Sequence, residues 1–376
     1  MSYPASYEAV VAVGATDSGD GLASFSSTGP EIELAAPGKG ILSTVPGGTA
    51  YYSGTSMACP HVSGAGGLLM ANGATNTEAR DTLASAAEDV GLDGTEGGNG
   101  LLDVDAATTD ESPMIGESGI ATVDENWQTV TLSGTYTDPV VVASLGTDNG
   151  MQPTTTRVRN VTGDSFEVSL REWTYLDGWH ANEDVHYVVL ESGSHDTAMG
   201  IELHAGTVEA DGSGWTRAAF GESFASQRHV FTQVTTDNDS TPTTTRVTNL
   251  GTDGFDVFCQ AEEALENDHG TETVAYLAAQ PVFTGSDPPA ETSASTFATD
   301  DWAEATLSAP FEAVPVVLND FQSFFGNNTT TIRGRNYGTD SIEVLAQEEQ
   351  SRDDETNHLR EYVSTLALRA GEIHAA

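Results

Sequence analysis

Lysine is almost missing from this chain: Lys39 stands alone among 376 residues, inside a Lys+Arg total of 13. Phosphate recognition needs clustered cations, so this scarcity excludes nucleic acid as a partner and argues against anionic membrane surfaces. Cysteine is scarce as well. Cys59 and Cys259 lie in segments of different character, so neither a disulfide framework nor a cysteine-based metal cluster is expected. No apolar run approaches the ~20 residues that cross a bilayer, so no membrane span is expected. A charged n-region with a following apolar h-region is also missing. Met1-Ser2-Tyr3-Pro4 runs straight into Val10-Val11-Ala12-Val13, as though the chain began inside a domain.

Negative charge is what the chain has in excess. Its 57 acidic residues against 13 basic ones give a formal charge of −44, yet 38% of the residues are hydrophobic, which separates it from a disordered acidic tail. Self-repulsion of this size weakens a compact state at ordinary ionic strength. In molar salt the Debye length falls to about 3 Å and the repulsion is largely screened. Carboxylates in this number, with one lysine, point to a hypersaline setting.

The length predicts two to four domains, and two compositional regimes divide it. Residues 1–108 alternate strand and helix signals. Ala9–Ala15 is a continuous apolar run suited to a strand buried on both faces. Thr75-x-x-Glu78 is a capping box that opens a helix through Ala87, with Gly91 as its stop. From Ser112 onward, short Thr- and Val-rich runs alternate with Asp-Gly and Gly-Thr-Asp turns. Three related copies read TTTRVRNVTGDSFEV from Thr154, TTTRVTNLGTDGFDV from Thr243 and TTTIRGRNYGTDSIEV from Thr329, each preceded by a tryptophan: Trp127, Trp215 and Trp302. Units of about 85–90 residues suit one β-sandwich each, and a tryptophan recurring once per unit reads as core. The predicted fold class is therefore α/β followed by all-β sandwich repeats. The boundaries are 1–110, 112–198, 199–286 and 287–376.

Gly54-Thr55-Ser56-Met57-Ala58-Cys59-Pro60-His61 carries the clearest chemistry. A serine at a helix N-terminus has unsatisfied amides and the positive dipole end beside it, both of which favour a developing oxyanion. Gly54 lets substrate approach, and Pro60 is tolerable near the helix start. The stretch GTSMACPHVSGAGGLL resembles the nucleophile segment of the subtilisin-like serine proteases. The resemblance extends through YPASYEAVVAVGATDSGDGLASFSSTGP, IELAAPGKGILSTVPGG and GNGLLDVDAA, over about residues 3–108. With this composition it points to the salt-adapted secreted members, the halolysins. It implies a parallel sheet with a central helix, Ser56 as acyl-forming nucleophile and Gly54 and Thr55 beside the substrate. A protein or peptide substrate and an extracellular setting follow, with no cofactor required for chemistry. Ala35-Ala36-Pro37-Gly38 matches a structural loop of the family, and His61 reads as a buried structural histidine.

The departure from the family matters equally. A subtilase triad runs Asp, His, Ser along the chain, but no histidine precedes Ser56 here and no segment resembles the family's Asp or His motif. The amide donor of the oxyanion hole and most substrate-binding strands would also precede this segment. The reading is thus the C-terminal portion of a protease domain, inactive alone, with a missing N-terminal protease portion as a candidate partner.

Further sites are candidates only. The family often binds a cation near the segment matching Ala5, Tyr7 and Val10, with Glu33 where its carboxylate would fall, and hard oxygen ligands suit a structural Ca²⁺ or Na⁺; two solvated glutamates are the alternative. The repeats resemble the H-type lectin β-sandwich, which implies a glycan or cell-surface ligand at Trp173, Tyr175, Trp179 and His180 of the first copy; packing is the alternative for these aromatics. Asn160, Asn238 and Asn328 open N-x-Ser/Thr triplets, which arise by chance in a Thr-rich chain. Two functions follow: a serine endopeptidase truncated in this chain, or a non-catalytic extracellular protein that binds carbohydrate or a surface through its repeats.

Overall fold

Two strands in parallel open the chain: β1 (Ala12–Thr16) pairs with β2 (Ile32–Pro37), Val13 opposite Leu34 and Ala15 opposite Ala36. The apolar run near the N-terminus thus becomes a strand a little later than its first residue. A hairpin follows, β3 (Ile41–Val45) with β4 (Gly48–Tyr52), and then helix α1 (Thr55–Ala71). This computed structural model describes residues 3–71, 74–108, 113–265, 268–280, 290–308, 310–353, 356 and 358–376. The chain divides into two compact units, Met1–Glu111 and Ser112–Ala376, and the expected boundaries at 110–112 and 286–287 fall outside the described residues.

In unit 1, Ala58, Val62, Ala65 and Leu69 form one stripe at helical spacing and bury it with Ala15, Leu34 and Ala36. Helix α2 (Asn76–Ser85) has the expected capping box: the Glu78 amide donates to Thr75 Oγ1 at 3.3 Å, and the Thr75 amide to Glu78 Oε2 at 2.7 Å. It ends at Ser85 with Ala86 as C-cap, the Ala86 amide making the last i→i−4 bond to the Thr82 carbonyl, short of the expected Ala87 and of Gly91. A short α3 (Val104–Thr108) follows. The opposite face of α1 is uncovered within the unit, where Cys59, His61, Leu68 and Met70 are all exposed.

Unit 2 is built of sheets. The first copy forms β5 (Met114–Val123), β6 (Gln128–Thr131), β7 (Pro139–Leu145), β8 (Thr154–Arg159), β9 (Ser165–Glu172), β10 (Glu183–Glu191) and β11 (Gly193–Asp196). The second forms β12 (Glu202–Ala210), β13 (Thr216–Ala219), β14 (His229–Val234), β15 (Thr243–Thr248), β16 (Gly254–Ala261) and β17 (Glu272–Ala279). The third forms β18 (Ala290–Ala298), β19 (Ala303–Thr306), β20 (Val316–Phe321), β21 (Thr330–Arg335), β22 (Ser341–Glu348), β23 (Glu361–Leu368) and β24 (Gly371–His374). Each copy contributes an inner sheet (β5-β10-β7, β12-β17-β14, β18-β23-β20) and an outer one (β6-β9-β8, β13-β16-β15, β19-β22-β21), all antiparallel.

The inner sheets are buried on both sides. Val141 of β7 packs with Phe166 and Val168 of its own outer sheet. Val140 and Val142 instead enter a core shared by all three copies, with Phe231, Leu277, Val316 and Leu366. This explains the unbroken Val140-Val141-Val142 run, since a strand covered on both faces has no reason to alternate. Strands also cross between copies: β11 pairs with β12, and β24 returns to β5. Asn160, Asn249 and Asn336 occupy equivalent turns with φ of 49°, 50° and 53°. Asparagine tolerates this left-handed region better than most residues, so the Asn of each repeat is a turn residue.

Candidate functional site

Ser56 lies exposed in the first turn of α1, where its amide has no intrahelical acceptor. The turn before it is fixed from the sheet. Gly38 and Lys39 amides donate to the Thr16 carbonyl at the end of β1 (3.0 and 3.2 Å), and the Gly54 amide donates to the Gly38 carbonyl at 2.8 Å. A side chain at Gly38 would put its Cβ 2.6 Å from the Ala15 Cβ, so glycine is required for this close approach. The Met57 amide closes on Gly54 at 2.9 Å, and Thr55 is half-buried beside Ser56. Pro60 is the sixth residue of the helix and offers no donor to the Ser56 carbonyl. The site therefore presents a hydroxyl, an open amide and the positive end of a 17-residue helix.

His61 is exposed, not buried as the sequence suggested, and its Nδ1 contacts the Met57 carbonyl at 2.9 Å. The reason is the uncovered face of α1, on which it stands. It is the one histidine in residues 1–111, and it is occupied by its own helix.

The cation candidates are arranged differently from the expectation. Tyr7 and Val10 are exposed, and the Tyr7 carbonyl accepts the Val10 amide at 2.9 Å; Ala5 is half-buried. Both oxygens of Glu33 are held by Arg80 (2.8 and 2.6 Å), which also reaches the Glu8 carbonyl at 2.8 Å. The guanidinium supplies the positive charge, so these residues as folded do not offer a free carboxylate to Ca²⁺ or Na⁺. Among the described residues no group of three His, Cys, Asp or Glu has metal-holding geometry.

The glycan candidates do not share one face. Trp179 is 61% exposed and Tyr175 39%, whereas Trp173 and His180 are each 1% exposed. Tyr175 accepts the Gln350 amide through its hydroxyl at 2.9 Å. The three recurring tryptophans are not core residues either. Arg159 and Arg171 stack on Trp127 (3.8 and 4.6 Å), Arg335 covers Trp302 at 4.0 Å, and Trp215, 41% exposed, meets Phe258 and Phe324 edge-on. The outer sheets leave one side to solvent, and long arginine side chains cover two of the three indoles there.

His180 belongs to a buried ion network that sequence reasoning missed. Arg157 donates to Glu272 (2.6 Å), Arg246 to Glu361 (2.8 Å) and Arg333 to Glu183 (3.0 Å), so each copy grips the next and the third returns to the first. All six side chains are buried. Three residues before each glutamate a histidine contacts it: His180 at 3.1 Å, His269 at 3.5 Å and His358 at 3.4 Å. Each glutamate further accepts a hydroxyl (Thr147, Thr236 or Ser323) and backbone amides. Burial alone would raise these carboxyls, but the histidine contacts and the hydrogen bonds from hydroxyl and amides outweigh it and hold all three at about 2. The signal was present as His-x-x-Glu at 180, 269 and 358, in register with the arginine after each threonine triplet.

Residues 1–103 match the subtilase family. Over 113 residues the chain is 48% identical to the halolysin-like extracellular serine protease Nep of Natrialba magadii, covering 29% of this chain and 21% of that protein. It is 47% identical over 110 residues to subtilisin E of Bacillus subtilis (28% and 29%) and to subtilisin of Bacillus pumilus (28% and 40%). The chain thus spans between about a fifth and two fifths of the relatives it matches. Among solved structures, a protease from Pseudoalteromonas arctica is 32% identical, covering 28% of this chain and 37% of that one, with a TM-score of 0.27.

Proposed function

We propose that residues 1–108 supply the nucleophile-bearing part of a secreted, salt-adapted subtilisin-like serine endopeptidase. In it Ser56 Oγ attacks the scissile carbonyl and forms an acyl-enzyme. The observation that supports this reading best is the exposed Ser56 in the first turn of α1, directly after Gly54, where helix dipole and open amide face a developing oxyanion. Attack needs a base to take the hydroxyl proton, and an aspartate to orient that base. Within unit 1 the sole histidine, His61, is bonded to its own helix. Catalysis therefore requires an Asp- and His-bearing segment from elsewhere, and the chain alone is inactive.

The test is hydrolysis of a peptide ester in molar KCl, together with fluorophosphonate labelling, with and without an added subtilase segment carrying the Asp and His motifs. No turnover by the chain alone is expected, with labelling at Ser56 once the segment is present. Hydrolysis by the chain alone that Ser56→Ala abolishes would overturn the inactivity. Absence of labelling in a complex that demonstrably forms would overturn the nucleophile. Salt adaptation predicts a Tm that rises steeply with KCl, and a salt-independent Tm removes it.

A second reading rests on the exposure of Trp179 and Tyr175. Here the repeats act as lectin-like sandwiches that bind carbohydrate or another extracellular surface. Glycan titration followed by tryptophan emission, with Trp179→Ala as control, decides it.

A further inference from the structure

The three copies of unit 2 meet about a pseudo-threefold axis, where β7, β14 and β20 face one another. Along β7 the inward positions are Val140, Val142 and Ser144, and the first two lie in the shared apolar core. Equivalent to Ser144 are Gln233 on β14 and Asp320 on β20. One threonine of each triplet, Thr155, Thr244 and Thr331, lies at the same level. These six residues line a cavity of about 70 Å³, and since one water needs on the order of 10–15 Å³ there is room for an ion with accompanying water.

Two features of this cavity call for an occupant. Thr155 and Thr331 are each 5% exposed, and neither hydroxyl has a hydrogen-bond partner, an arrangement that native interiors avoid. Asp320, also buried, accepts the Thr232 amide and hydroxyl (2.7 and 2.6 Å) and the Phe321 amide (2.7 Å). No cationic side chain lies within ion-pair distance of it among the described residues. The field of Arg246 reaches it, but that guanidinium is committed to Glu361. Burial without a counter-charge pushes the Asp320 carboxyl up to about 7, so above that pH the cavity holds a costly negative charge that a cation would offset. The cavity has a single negative charge, neutral hydroxyl oxygens and no soft ligand, which disfavours divalent and transition metals.

We propose that this axial cavity binds one alkali cation, Na⁺ or K⁺, through the Asp320 carboxylate and the hydroxyl oxygens of Thr155 and Thr331. The cation neutralises the one buried charge on the axis and satisfies the two orphaned hydroxyls, and its binding strengthens the closure of the three copies. This site is independent of Ser56 and of any glycan.

Thermal unfolding of the full chain, followed by tryptophan fluorescence, is compared in KCl, NaCl and tetramethylammonium chloride at equal ionic strength. A Tm several degrees higher in an alkali salt is expected, with that advantage lost in Asp320→Asn. Should this variant fail to fold, Thr155→Val/Thr331→Val provides the second arm: a lower Tm in alkali salt and little change in tetramethylammonium chloride. Thallium NMR on the wild-type chain should give a bound resonance that the double variant lacks. A cavity holding water alone predicts that the double variant is unchanged or more stable in every salt. Binding spread over surface carboxylates predicts an alkali advantage that survives both variants. Either result, or equal wild-type Tm in the three salts, overturns the proposal.

Discussion

The two units of this chain treat charge and apolar surface in opposite ways. Unit 1 puts its ion pairs at the surface, as in Lys39–Asp17 and Arg80–Glu33, and leaves Leu68 and Met70 of its central helix exposed. Unit 2 buries three Arg–Glu pairs between its copies, and covers its inner strands on both faces. A chain of net charge −44 has few cations to place, and three of them bind one repeat to the next. The lesson is one of closure. In unit 2 each copy completes its neighbour through the buried Arg–Glu pairs. In unit 1 the serine, one face of its helix and the open amide are left exposed.

Acid should separate the units most sharply. Glu183, Glu272 and Glu361 are held at about 2, against 4.5 for an ordinary glutamate. A lowered carboxyl binds fewer protons folded than unfolded. Its contribution is therefore complete above about pH 4.5 and is lost as the pH falls toward 2. Three such groups in one unit add up to several kcal/mol on the scale of about 1.4 kcal/mol for each pH unit. In unit 1 the lowered carboxyls are the half-buried Asp17 and the exposed Glu78 and Asp93, which make turn and cap contacts and, for Asp17, a bond to Lys39. All five tryptophans lie beyond residue 111 and all described α-helices lie before it. Tryptophan emission thus reads unit 2, and the helical circular dichroism signal reads unit 1. Emission should show the acid transition first; simultaneous loss of both signals would contradict the contrast.

A single substitution should divide the units next. Arg246→Ala leaves Glu361 buried without its cation, at a cost of about 3–5 kcal/mol, and should shift the urea midpoint of the emission transition while the helical signal stays in place. Arg217, 42% exposed beside Asp253 at 67%, is the control, because an exposed pair of this kind contributes about 0–1 kcal/mol. Equal effects of the two variants would mean that the buried ring adds nothing beyond surface pairing.

Local rules made much of this legible in the sequence. The Thr75–Glu78 capping box and the buried strand before Thr16 follow from neighbouring residues, while the serine at a helix start and the parallel pairing came with the family resemblance. The threefold repeat was equally plain from its spacing. What escaped was everything that depends on which copy touches which. Arg157 and Glu272 are 115 residues apart, and nothing in either neighbourhood states that the guanidinium leaves its own copy for the next. The tryptophans failed for a related reason: recurrence marked them as important, but only the outer sheets, with Arg159 and Arg335 lying over the rings, place them at a surface. His61 was expected to be a buried structural histidine, and the uncovered face of α1 puts it outside.

The smallest expected effect lies in unit 1 and concerns whether Arg80 stands in for a cation. Its guanidinium spans both oxygens of Glu33 and the Glu8 carbonyl, with side chains 35% and 25% exposed. Partial exposure limits the pair to about 1 kcal/mol, so Arg80→Ala should weaken the helical transition only slightly. The sharper readout is calcium. With Arg80 present, millimolar Ca²⁺ should leave that transition unchanged, because an incoming ion would have to displace a bidentate cation from the Glu33 carboxylate. Without Arg80, Glu33 and the carbonyl are released together, and Ca²⁺ should recover part of the lost stability. Calcium stabilising the wild-type unit as much as the variant would show that the ion binds elsewhere, and that unit 1 completes itself with a metal where unit 2 does so with arginine.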